Sequence, residues 1–245
     1  MHRHPVKMQR LSINARIGRN SLILAAIALP LAGCGITSRM EPYKRTDAVV
    51  NEGDHVVVLA RKHHANHEAE AEFVDCISDG MARGSDGIDM YSSTEFEDRM
   101  YPWFEPSMAP LSTDDLTALL ERPGVLEQVE DTGVRFVVWL DGSTDRVSSG
   151  GGITCAAGVG GAGCMGLAWW EDDARYDATV WDIQELSSAG TIHADVKGRS
   201  VMPAIIVPLP FIARPRAAAC RGLTEQLREF LTTPEGFQND NLELG

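Results

Sequence analysis

The chain has 245 residues, 44% of them apolar, and its 22 basic and 35 acidic side chains leave a formal net charge of −13. A balance this acidic excludes nucleic-acid binding, which needs a basic surface. The apolar share is enough to bury the core of one compact domain.

The chain opens with a basic segment: five Lys and Arg and no acidic residue precede residue 35. An apolar run from Leu22 to Ala32 follows, shorter than the ~20 residues a spanning helix needs. A basic segment, a short apolar run and small residues before a cleavage point make a secretory signal. The ending Leu31-Ala32-Gly33-Cys34 resembles the lipobox of bacterial lipoproteins. That resemblance implies cleavage before Cys34, acylation of Cys34 (palmitate among the chains) and membrane attachment through the N-terminal lipid. Gly35 stands where an Asp would favour inner-membrane retention, so the resemblance implies a periplasm-facing outer-membrane protein. Met8 serves as a start as well as Met1. Residues 1–33 are thus expected to be a signal peptide, and their removal takes five positive charges, leaving −18.

Residues 34–54 are polar and unpatterned and are expected to be a flexible tether. His55–Ala60 (HVVVLA) is a short apolar strand. Residues 66–83 place Ala69, Phe73, Cys76, Ile77 and Met81 at helical spacing, with Gly80 and Gly84 near the end. Residues 87–92 suggest a second short strand. A short helix follows, capped by Ser93 or Thr94 and stopped by Pro102. Two more helical pieces are split by Pro123-Gly124, the first capped by Thr113. Residues 134–142 (VRFVVWLDG) are the clearest strand. Five further strands are expected, roughly at 145–155, 164–172, 175–186, 190–199 and 201–207. Pro203 confines the last to an edge or an early end. Residues 215–231 form a final helix with Pro215 in its first turn, and residues 233–245 a disordered tail. The order predicts an α+β fold: a mixed sheet of about six to eight strands with helices packed on it, one domain over 55–232. In element order, in the VVVLA opening and in the GVRFVVWLDG strand after two helices, it resembles the periplasmic domain shared by the curli-secretion lipoprotein CsgG and the amino-terminal domain of TolB. Those domains are not enzymes, so the resemblance carries over no catalytic motif.

In the oxidising compartment implied by the signal, Cys76, Cys155, Cys164 and Cys220 are even in number and are expected to pair. The local pairing joins Cys155 to Cys164 across a glycine-rich turn, which leaves Cys76 with Cys220. Residues 158–163 also match GxGxxG, but they do not open a helix after a strand, as a dinucleotide site requires. The spacing of Cys155 and Cys164, with no His nearby, does not suit zinc.

His63 and His67 stand four apart, with Glu68 and Glu70 beside them, and would share a face for metal capture. The spacing is not HExxH and no third ligand stands out, so no metal or other cofactor is expected. No GxSxG nucleophile motif occurs. The acidic residues of Trp169–Asp173 could serve an envelope hydrolase. Trp169 and Trp170 should face opposite ways on a strand, one into the core and one outward. The expectation is a non-enzymatic envelope lipoprotein that binds or supports another envelope protein. A hydrolase and a metal-binding protein are the alternatives.

Overall fold

The computed structural model describes residues 35–61, 69–105 and 108–234. The signal segment, Cys34, His63, His64, His67 and most of the C-terminal tail lie outside the described residues. In chain order the elements are β1 (Ile36–Lys44), β2 (His55–Ala60), α1 (Ala71–Ala82), α2 (Ser93–Arg99), α3 (Thr113–Leu120), α4 (Val125–Glu130), β3 (Val134–Gly158), β4 (Gly161–Asp182), β5 (Ser187–Pro208) and α5 (Pro215–Thr232). The strands form one mixed sheet in the order β1-β5-β4-β3-β2. Of its four strand pairings, β2 with β3 is parallel and the other three are antiparallel. The α+β class and the helix-covered mixed sheet are as expected.

Among the described residues the strand count is five, not six to eight. The expected strands at 134–142 and 145–155 are one strand, as are 164–172 with 175–186 and 190–199 with 201–207. Gly142, expected as the last residue of its strand, continues the ladder opposite Tyr176, and a Cβ there would lie 2.1 Å from the Arg175 carbonyl oxygen. The expected break near Asp173-Ala174 is likewise filled by pairs to Asp145 and Thr144. Pro203 is accommodated because β1 ends opposite Gly198, which leaves β5 without that neighbour beyond it.

Part of the expected tether is structured. Ile36–Lys44 pairs along β5 from Gly198 back to Gly190, so the sheet already includes residues 36–44 of that segment. Segment 87–92 is not a strand: Met90 makes a single bridge to Val56. The helix caps fall one residue early. Ser92 caps α2, and Ser112 caps α3 in a reciprocal capping box with Asp115.

Each sheet face has its own core. Alternation in β2 sends Val56 and Val58 to one face and Val57 and Leu59 to the other, and all four are fully buried. On the first face Phe136, Val138, Tyr176, Val180, Ile192 and Val196 pack under α1 and α5, against Phe73, Ile77, Leu223, Leu227 and Phe230. On the second, Val137, Trp139 and Trp181 meet Phe96, Leu116 and Val129 from α2–α4 and Phe104 from the turn after α2. In α1, Cys76 and Gly80 are one turn apart, as are Cys220 and Thr224 in α5. A Cβ on Gly80 would lie 2.7 Å from Thr224 Cγ2, so glycine lets the helices approach. The Cys76–Cys220 disulfide closes that approach with Cα atoms 6.3 Å apart.

Candidate functional site

The two cores account for β3, β4 and β5 only as far as about residues 144, 174 and 198. Beyond them the three strands continue together as an arm. Their register joins Ser149 to Trp170 and Trp170 to Ser200, then Ile153 to Gly166 and Gly166 to Ala204. Residues 147–170 contain no charged side chain, and neither do residues 200–213. Arm side chains are exposed on both sides: Met165 (77%), Ile205 (80%) and Ile206 (70%), with Leu167, Val207, Leu209 and the turn residue Val159. Ile206 takes a φ of 82°, which a β-branched residue rarely adopts.

The expected Cys155–Cys164 disulfide is present near the arm's tip. The two cysteines face each other directly in the ladder. Their Cα separation of 4.0 Å is just below the usual range for a disulfide and close to the ~4.5 Å of a non-hydrogen-bonded antiparallel pair. The glycines let neighbouring backbones meet: a Cβ on Gly166 would lie 2.2 Å from the Gly152 carbonyl oxygen.

At its root the arm meets an abrupt border of charge. Arg146 pairs with Asp172 across the ladder at 3.0 Å, and Glu171 stands opposite Arg199. Trp169 and Trp170 lie one step towards the tip. They face opposite sides as expected, but neither enters a core: both are half-buried. Arg199 sits 5.2 Å over the Trp169 ring and Arg146 5.3 Å over Trp170. A Cβ on Gly150 would lie 3.0 Å from the Trp169 ring, so that glycine makes room for it.

The carboxylates of the Trp169–Asp173 segment divide between the faces. Asp172 goes with Arg146, Glu171 accepts from the Ser148 hydroxyl at 3.2 Å, and Asp173 pairs with Arg175. Burial, with the nearby Asp195 charge, pushes the Asp173 carboxyl above its ordinary value. Each carboxylate has a cross-strand or same-face partner, the arrangement of a ladder rather than of two acids facing across a cleft.

Nearer the cores, Arg61 and Asp141 form a buried pair at 2.8 Å. Arg135 bridges Asp54 at 2.9 Å and Asp182 at 3.2 Å. Burial opposes ionisation of Asp54, but hydrogen bonds from the Asn51 backbone N–H and the Arg135 guanidinium hold its carboxyl below the usual range. At the end of the sheet away from the arm, a cavity of about 590 Å³ is lined by Leu120, Leu126, Val129, Ile183 and the carboxylates Glu121 and Glu130. The metal candidates His63 and His67 lie outside the described residues. Among the described residues no group of three His, Cys, Asp or Glu could hold a metal ion.

Sequence reasoning missed the arm as a unit. The signal for it was the uncharged run of 24 residues from Val147 to Trp170, bracketed by Arg146 and Glu171.

No protein-family model and no curated protein matches the chain. Among solved structures, two of the PelC dodecamer from Paraburkholderia phytofirmans align with it. One is 10% identical over 80% of this chain and 98% of PelC, at a TM-score of 0.35. The other is 11% identical over 81% and 99%, at 0.34. At these TM-scores the alignments carry no inference about this chain.

Proposed function

We propose that the chain is a lipoprotein of the bacterial envelope, anchored through Cys34 and facing the periplasm of the outer membrane, with a non-enzymatic binding or supporting role. The observation that carries this reading is the arm. Its uncharged residues 147–170 and 200–213 build little of either core and expose apolar side chains on both faces. Large exposed apolar patches mark interaction surfaces, so the working part is a surface rather than a cleft. The two disulfides support an oxidising compartment, in agreement with the signal and the lipobox motif.

The anchor is tested by growing cells on labelled palmitate. Label should enter the wild-type chain and not Cys34→Ala. Equal labelling of both chains refutes the anchor.

A further inference from the structure

The place where the chain enters the fold gives the arm a partner. Gly35 is pinned to the arm's root: its carbonyl accepts a hydrogen bond from the Arg199 N–H at 3.1 Å. Cys34 is the preceding residue, one Cα step of ~3.8 Å away. A lipid on Cys34 would therefore enter its leaflet beside the border of charge, at the end of the fold from which the arm projects. The arm runs on from Trp169 to the strand end at Gly161, a reach of roughly 26 Å at ~3.3 Å per residue.

We propose that this arm is a second, non-covalent membrane contact. Its apolar face (Met165, Leu167 and Trp169 on β4, with Val201, Pro203 and Ile205 opposite them on β5) rests in the headgroup and upper acyl layer of the leaflet that holds the Cys34 lipid. The inference rests on the anchoring proposed above for the orientation, and on the arm's own chemistry for the contact.

Three features select a lipid surface over another occupant. First, the two uncharged stretches end together, at Arg146, Glu171, Asp172 and Arg199, on neighbouring rungs of the sheet. That makes a level border between a charged and an apolar zone, as an interface requires. Second, the row at that border is Trp169 and Trp170, each under an arginine. Tryptophan settles at headgroup depth, and arginine extends its charge towards water. Third, Ile205 and Ile206 are consecutive yet both exposed, so this strand has no polar face to turn to water. An aqueous hairpin would alternate.

The depth is limited by the backbone. β2 ends opposite Leu140, so among the described residues β3 has no strand on that side from Asp141 to Gly158. Open sheet edges do not occur in the hydrocarbon centre of a bilayer. The arm therefore slants shallowly from that border into the headgroup and upper acyl layer, with that edge at headgroup level, and does not span. A processed chain of net charge −18 gains nothing from anionic headgroups, so the contact is made by apolar partition and is insensitive to salt.

The test uses the full lipidated chain reconstituted in phosphatidylcholine vesicles, with or without bromine on the acyl chains, a short-range quencher of tryptophan. Two of the five tryptophans sit at the border. Wild type should lose roughly a fifth to two fifths of its emission in brominated vesicles, equally at low and high salt. Met165→Asp and Ile205→Asp, made separately at well-exposed positions, should each at least halve that loss. Iodide added to the water gives a reading independent of the variants, and should quench vesicle-bound wild type less than the detergent-free soluble fraction of Cys34→Ala. Equal emission in the two vesicle types overturns the proposal, as does loss of quenching in high salt. Crosslinks joining the arms of two copies, with no bromine quenching, overturn it in favour of a second copy of the chain. Palmitate incorporation, read on the same preparation, separates the anchor from the arm: label without quenching refutes the arm contact alone, and quenching without label refutes the anchor alone.

Discussion

The two disulfides should contribute to stability very differently. Cys76–Cys220 closes a loop with a sequence separation of 144 and joins the helices that cover the first core. Cys155–Cys164 closes one of 9, in an arm outside both cores. Chain entropy alone assigns about 5 kcal/mol to the long loop and about 2.7 kcal/mol to the short one, upper values that measured disulfides commonly undershoot. Location widens the gap. Opening the arm does not require opening either core, so the short loop stabilises a local unit more than the whole. Equilibrium unfolding in urea, followed by the emission of the buried Trp139 and Trp181, reads the difference. With an m-value of about 2.5 kcal/mol/M, Cys76→Ala with Cys220→Ala should lower the midpoint by about 1–2 M. Cys155→Ala with Cys164→Ala should lower it by less than about 0.3 M, while amide exchange across residues 150–168 quickens. Alanine is the right replacement because Cys220 is buried, and a serine hydroxyl there would lack a partner. Equal midpoints for the two double variants, or the reverse order, would refute the reasoning and show that arm and cores unfold as one unit.

Arg135→Met should cost about 3–5 kcal/mol, because it strands the fully buried Asp182 carboxylate and the nearly buried Asp54; urea unfolding at pH 7 measures it. Asp54 is held below its unfolded value of about 3.9. Its contribution is therefore present above that pH and is lost as pH falls through the lower folded value, and an acid titration of stability should be shallower in Arg135→Met. Asp173 has the opposite sign. Its folded carboxyl is raised, first by burial and then by Asp195, so its contribution is present in acid and fades as pH rises through the folded value. Asp173→Asn should accordingly raise the Tm at pH 7 and leave it unchanged at pH 3. Gly142→Ala should destabilise by about 2 kcal/mol or more, since φ there is 133° and the new methyl would meet the Arg175 carbonyl oxygen; thermal melts test it.

Local patterns were readable wherever short-range rules act. The period of 3.6 placed Phe73, Ile77 and Met81 on one face of α1, and all three are buried. Parity and locality paired the cysteines as the structure has them. The strand period put Trp169 and Trp170 on opposite faces. Which residues end a strand was not local. Gly142 and Asp173 have turn chemistry, yet they continue their strands because neighbours on both sides supply the backbone hydrogen bonds that a turn would otherwise satisfy. Ile36–Lys44 has too little apolar pattern to announce a strand, and it is one because β5 offers a free edge along residues 190–198. Asp54, Arg135 and Asp182 are far apart in the chain and meet only through the pairing of β3 with its neighbours. The arm combines both kinds of information. Its lack of charge is a property of the sequence. That its uncharged stretches lie side by side, end at one level and begin where Gly35 is pinned follows from register, which is set by contacts among residues dozens of positions apart and by no rule of local spacing.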